Sequence, residues 1–400
     1  MIHVFGARVI GPLEMHAQGL ATELLREGYT ANGAAQHLCF IAHLSRWMAA
    51  KNLRAAALTP RVARQYMATR RADGYTNYRS PKALQPLLDY LGSRGIIPAA
   101  EVAPVDAATA LLQDYRRFLT GERSLTEGTA RGYVDAVRAF VAESIRAKGI
   151  DKVSAGDITD FILAACPTMA TGSRKLRVTA LRSLLKWLHV KGIIPAALAC
   201  SVPSVAGSRL AALPRAVDAQ QLHRLLASCD RRRAPGRRDY AIMLLLSRLG
   251  LRSGEVARLA LDDIDWRNGQ IRVSGKGNRT ERLPMPVDVG EALLGYLQRG
   301  RPHTAQGRNL FVRIRAPHRE LTSTGVTQVV FAASQRAGLG KLHAHRLRHT
   351  AATAMLRAGS SLVEVGQVLR HRLALTTAIY AKVDRNSLRA LARPWPGGLS

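Results

Sequence analysis

Apolar residues recur at helical spacing through most of the chain. Leu84, Leu87, Leu88, Tyr90 and Leu91 trace one face of a helix, and Leu181, Leu184, Leu185, Trp187 and Leu188 repeat that pattern 97 residues later. Each run stops at a glycine with a proline shortly after, in Gly95-Ile96-Ile97-Pro98-Ala99-Ala100 and Gly192-Ile193-Ile194-Pro195-Ala196-Ala197. Earlier positions also align, at a shift near 96: Thr30 falls on Thr126, Leu38 on Val134, Ile41 on Val137 and Leu44 on Phe140. Both threonines stand where a side-chain oxygen caps a helix. The pattern predicts two copies of one small helical module, roughly 14–100 and 106–200.

The periodicity breaks at 201–215, where Pro203, Gly207, Ser208 and Pro214 read as a linker flanked by Arg209 and Arg215. A further domain is expected over 216–393, with a tail at 394–400. Its helices are predicted at Asp218–Cys229, Arg238–Leu249 and Gly254–Leu261, the second ended by Gly250 and the third capped by Ser253. Three short strands follow. Ile264–Arg267 and Gln270–Val273 flank the hairpin signal Asn268-Gly269, and Glu281–Pro286 lies beyond the loop 275–280. The rest reads as helix, so the expected fold is mainly α with a small antiparallel β-sheet.

Composition narrows the function. Of 400 residues, 59 are Lys or Arg and 28 Asp or Glu, a formal charge of +31. A chain this basic repels itself unless a polyanion is near, and duplex nucleic acid is the usual one. The linker at 201–215 could then lie along a DNA backbone or serve as a solvated spacer. Cys39, Cys166, Cys200 and Cys229 have no CxxC spacing and suit buried thiols of a reducing compartment. The N-terminus lacks a signal pattern, and Ala241–Leu246 is too short to span a bilayer. A cytoplasmic, nucleoid-associated protein is expected, without membrane contact.

Three stretches carry candidate chemistry. Arg252 lies at a helix start, where backbone N–H groups also favour anions, and its guanidinium can hold a phosphate in bidentate fashion. Glu255, one turn on, can orient it. His345 and Arg348 are three apart and share a helix face, while His349 falls one step round, toward the interior. His371 and Tyr380 are nine apart, with Thr376 or Thr377 able to cap a short helix that carries Tyr380. Taken singly, each is an ordinary structural residue.

Together they resemble the tyrosine recombinase, or phage integrase, family. Leu249-Gly250-Leu251-Arg252-Ser253-Gly254-Glu255-Val256 resembles its first arginine box. His345-Arg346-Leu347-Arg348-His349-Thr350 resembles its HxxR box, and Leu369-Arg370-His371 through Tyr380 its last box. Ser274-Gly275-Lys276-Gly277 stands where the family carries a lysine between strands. The likeness is close over 215–390, and the module at 106–200 looks like the family's helical core-binding (SAM-like) domain, ahead of an α+β catalytic domain. Arg346 replaces a usual acid and Arg370 a usual glycine, each adding charge beside the expected phosphate.

The resemblance implies Tyr380 as nucleophile, forming a 3′-phosphotyrosine. Arg252 and Arg348 would clamp the scissile phosphate, Lys276 would protonate the leaving 5′-oxygen, and His345 and His371 would bond the phosphate or manage the tyrosine proton. No cofactor or metal is implied. The expected partners are double-stranded recombination sites, a homotetramer assembled on DNA from free monomers or dimers, and possible accessory recombinases. Leu388, Leu391 and Trp395 form a candidate docking tail. The extra module at 14–100 suggests a mobile-element enzyme. Other readings are a chromosome or plasmid dimer resolvase, a type IB topoisomerase and a DNA-binding protein without catalysis. Asp262, Asp263 and Asp265 raise a metal-dependent nuclease or transposase as a further alternative.

Overall fold

A computed structural model describes residues 2–4, 6–97, 106–206, 216–275, 280–370, 374–377 and 379–380. Lys276, His371 and the expected tail contacts of Leu388, Leu391 and Trp395 lie outside the described residues. The chain divides into two compact units, 101–211 and 1–100 with 212–400.

Among its described residues the first of these units has four α-helices: α5 (Ala107–Thr120), α6 (Glu127–Ala147), α7 (Ala155–Ala165) and α8 (Thr171–Val190). Tyr115, Phe140, Leu184 and Leu188 are buried in its core, on the face that the periodicity marks. Thr126 caps α6 by accepting from the Thr129 N–H at 3.4 Å. The chain leaves α8 through Gly192 at φ +70°, a backbone conformation that costs glycine nothing.

The other unit opens with a hairpin of β1 (Ile2–Val4) and β2 (Ala7–Val9), followed by α1 (Ala17–Arg26), α2 (Ala31–Ala50), α3 (Pro60–Ala72) and α4 (Gln85–Ser93). Thr30 caps α2 by accepting from the Gly33 N–H at 3.0 Å, and Gly95 leaves α4 at φ +68°. Helices α4 and α8 thus both end at a glycine of positive φ. The hairpin strands are three residues each, too short to imprint a period on the sequence.

Residues 216–380 form the rest of this unit. Helix α9 (Ala219–Ala227) is capped by Asp218. Helix α10 (Ala234–Arg248) is buried on all sides over Ala241–Leu246 and runs through the core. It starts four residues before the predicted Arg238, because Pro235 fits a first helical turn. Helix α11 spans Ser253–Arg258, shorter than expected, and its cap is Arg252 rather than Ser253. The Glu255 carboxylate reaches back to the Arg252 N–H at 2.8 Å and satisfies that first donor.

Strands β3 (Ile264–Asp265), β4 (Gln270–Ser274) and β5 (Thr280–Pro284) make an antiparallel sheet in sequential order, with Ile264 opposite Ile271 and Arg272 opposite Arg282. Helices α12 (Val287–Arg299), α13 (Ser323–Arg336), α14 (Ala344–Arg357), α15 (Leu362–Val368) and α16 (Ala374–Thr377) complete the fold. It is mainly α with a small three-stranded antiparallel sheet, as the pattern predicts, and the two-stranded β1–β2 hairpin in addition. Thr376 and Thr377 both lie within α16, and Tyr380 sits in a tight turn just beyond its described span. Among the described residues no helix is long and apolar enough to cross a membrane.

Candidate active site

Four segments converge beside α10. They are the Leu249–Glu255 turn and helix start, the first half of α14, the Leu369–Arg370 turn after α15, and Tyr380. Helix α14 is seated by Thr350, whose hydroxyl accepts from the Val217 N–H at 2.9 Å. That contact presents His345, Arg348 and His349 along successive faces of one turn.

Arg348 is only 2% exposed. Its guanidinium donates to the carbonyls of Gly250 and Leu369, and so ties the first arginine turn to the turn before the last box. Burial lowers its pKa to about 9, helped by Arg252, which still leaves it a cation at neutral pH. Gly250 shapes this anchor. It has φ +57°, and a Cβ there would stand 2.5 Å from Leu369 Cδ2.

Arg252 is the more accessible arginine, with its side chain 38% exposed. It donates from Nη1 to Glu255 Oε1 at 2.6 Å and from Nη2 to the Arg370 carbonyl at 3.3 Å. Glu255 is buried, with a side chain 1% exposed. Burial pushes its carboxyl pKa up, but Arg370 and then Arg252 outweigh that, and it lies below its ordinary value.

Arg370 points into the protein. Its side chain is 4% exposed and donates from Nη2 to Glu255 Oε2 at 2.8 Å. Its own backbone is left-handed, at φ +56°. Arg346 turns to the opposite side, toward the Ala216 carbonyl at 3.5 Å.

Tyr380 is 2% exposed and packs with Ala352, Val365 and Leu369. Burial raises its pKa to about 12 against the pull of Arg348. Its hydroxyl lies 2.7 Å from Nδ1 of His349. Burial lowers the His349 pKa to about 4, reinforced by His345 and Arg348. The ring is therefore neutral at pH 7, and with its proton on Nε2 it accepts from the phenol. His345 is exposed and stacks edge-on to His349, ring centres 4.3 Å apart. Partial burial lowers its pKa first, then Arg348 and Arg252.

Thus the structure gathers Arg252, Glu255, His345, Arg348 and Tyr380, while Lys276 and His371 lie outside the described residues. Sequence reasoning missed His349 as the tyrosine's partner and Arg370 as Glu255's. The one available signal for His349 was its position four residues from His345, which stacks the two rings on one side of α14. The three aspartates do not converge. Asp262 pairs with Arg308, Asp263 with Arg272 at 2.8 Å, and Asp265 bonds Asn268 at 2.8 Å.

Comparison with known proteins decides the family. The model described as the phage integrase family matches residues 215–387, and that of the phage integrase N-terminal SAM-like domain matches 112–192. The chain belongs to the phage integrase family of tyrosine recombinases. Site-specific DNA recombination by strand transfer is the activity that this membership supports. The integrase/recombinase y4rA of Sinorhizobium fredii is 39% identical over 401 residues, covering 97% of this chain and 95% of that one. Two solved recombinases share the fold. XerH site-specific recombinase bound to palindromic difH substrate in a post-cleavage complex gives a TM-score of 0.56 at 18% identity, covering 83% of this chain and 94% of that one. A lambda integrase tetramer bound to a Holliday junction gives 0.52 at 14% identity, covering 79% and 88%.

Proposed function

We propose that this tyrosine recombinase cuts and rejoins duplex DNA through a 3′-phosphotyrosine at Tyr380, and that it moves a mobile element. One observation carries the reading. The buried Arg348 bonds the carbonyl of Leu369, whose side chain packs against Tyr380, and that of Gly250, two residues before Arg252. Nucleophile and both arginines are therefore coupled through one anchor.

The chemistry follows from charge. A phosphodiester is anionic and resists attack, so its non-bridging oxygens must be neutralised. Arg252 is accessible and binds the phosphate first. Arg348 supplies a second positive charge from beneath. Tyr380 turns out of its apolar seat, its oxygen bonds to phosphorus and the bond to the 5′-oxygen breaks. The phenolic proton passes to a neutral histidine, His349 being the one already in contact, with His345 and His371 close in sequence to the site. Lys276 delivers a proton to the leaving oxygen. The phosphotyrosine keeps the bond energy for religation, so no nucleotide is consumed. The two guanidiniums and the lysine supply the positive charge that a metal brings elsewhere, so none is required.

Exchange between two duplexes needs four active sites, and the fold shared with the lambda integrase tetramer on a Holliday junction supports a homotetramer on paired sites. The near full-length match to y4rA, named an integrase/recombinase, supports the mobile-element role and includes the module before residue 100.

The test uses nicked suicide duplexes tiled across the DNA that flanks the gene. A covalent protein–DNA adduct should form in EDTA and vanish in Tyr380→Phe. An adduct formed equally by Tyr380→Phe would remove Tyr380 as nucleophile.

A further inference from the structure

We propose that Arg370 is a positioning residue: it neutralises Glu255, so that the charge of Arg252 remains available to the scissile phosphate. This rests on the reading of Arg252 as a phosphate ligand.

A carboxylate beside a phosphate-binding arginine has two opposed effects. It orients the guanidinium, and it cancels the positive charge that the phosphate is to meet. Glu255 is fully inside the protein, where water screens little of that effect. With Arg252 as its only partner, the two would form a neutral pair facing an anion. Arg370 changes the balance. Glu255 Oε1 is taken by Arg252 Nη1 at 2.6 Å, while Oε2 takes the Arg252 N–H and Arg370 Nη2, each at 2.8 Å. Two guanidiniums against one carboxylate leave one positive charge, and it sits on the exposed member, Arg252.

The backbone makes the side chain's purpose plain. Arg370 lies at φ +56°, where glycine is favoured and an L side chain is strained. The turn alone would be served better by glycine. Its side chain is also almost wholly buried, and its Nε finds no partner among the described residues. A buried arginine on a strained backbone is retained by what it contacts. Those contacts are Glu255 and, from Nη1, the Val368 carbonyl at 2.9 Å. The Arg370 carbonyl in turn accepts from Arg252 Nη2. Side chain and main chain of one residue thus hold both halves of the Arg252–Glu255 pair.

The experiment compares Arg370→Gly, Arg370→Met and Arg370→Lys in the full chain on a nicked suicide duplex that the wild type cleaves. Glycine relaxes the turn and removes the charge, methionine keeps an apolar stem without charge, and lysine keeps the charge. Single-turnover cleavage should fall about 10–100-fold in the glycine and methionine variants. Affinity for an uncleavable duplex should change less than about threefold, because one contact among many phosphate contacts is affected. The acid limb of the pH–rate profile should shift in both toward a smaller deficit at low pH, because Glu255 loses a countercharge, protonates at higher pH and then no longer cancels Arg252. Arg370→Lys should restore most of the rate and return the limb. A structural role would leave the pH limb in place and would make lysine no better than methionine; either result overturns the proposal, as does wild-type cleavage by the methionine variant. Arg252→Ala and Tyr380→Phe run alongside. Cleavage by either variant at the wild-type rate would sink the underlying reading instead.

Discussion

The hydroxyl of Tyr380 meets Nδ1 of His349 at 2.7 Å, inside a cluster of Ala352, Val365 and Leu369. Burial favours the neutral form of both partners, so the contact joins an uncharged phenol to an uncharged imidazole. Tyr380 is thus held in the protein interior, with its hydroxyl against the imidazole of His349.

His349→Phe removes this partner from the buried hydroxyl and should cost about 1–3 kcal/mol. Tyr380→Phe in the same background should cost less than it does alone. Urea unfolding of both single variants and the double variant gives the coupling, expected at about 0.5–1.5 kcal/mol. Additive losses would mean that the two groups do not touch in solution.

Acid should weaken the fold through the same residue. His349 has a native pKa of about 4, below the ordinary histidine value of 6.5. Its neutral form is therefore favoured by folding, a contribution complete above pH 6.5 and lost as the pH falls toward 4. Solvent screening of this half-buried ring holds the effect to about 1–2 kcal/mol. Glu255, also depressed, loses stability in the same direction. The measurement is the slope of unfolding free energy against pH from 6.5 to 4, which should be shallower in His349→Phe than in the wild type.

Alkali acts on the partner with the opposite sign. The Tyr380 pKa is raised to about 12, so the unfolded chain loses this proton near pH 10 while the native chain keeps it. Stability present below pH 10 should fall as the pH rises toward 12, and Tyr380→Phe should lack that component in chemical denaturation series.

Gly250→Ala should damage activity and fold together. The backbone is left-handed there, and the new methyl would meet Leu369 at 2.5 Å. The expected cost is about 1–3 kcal/mol. Displacing the Gly250 carbonyl also detaches Arg348, so cleavage per folded molecule should drop. Thermal melting and adduct formation at a temperature where the variant remains folded separate the two effects.

The repeated caps offer a matched pair. Thr30→Ala and Thr126→Ala should each cost about 0.5–2 kcal/mol. Hydrogen exchange on the full chain should localise the loss to the start of α2 in one and α6 in the other. Loss spread across both modules in either variant would contradict independent caps.

Local residues made much of this legible. Helix spacing, the threonine caps, the glycine exits and Asn268-Gly269 all act within a few positions, so the helices and the hairpin could be read directly. Helix ends were read less well. Ser253 looks like a cap, but Glu255 reaches back to Arg252 and moves the boundary. Thr376 and Thr377 look like helix caps, yet both lie within α16.

The sequence by itself determined the helical character, the threonine caps and glycine exits, and the order of the boxes in which Arg252, Arg348 and Tyr380 stand. Each depends on residue types at short, fixed spacing. Tertiary structure alone decided the partners. His349 and Tyr380 are 31 positions apart, and Arg370 and Glu255 are 115 apart. No local periodicity spans such separations. They are closed only when α14, the Leu369–Arg370 turn and the start of α11 pack beside α10. Burial then removes water from the charges and makes each pairing the cheapest state of the groups involved.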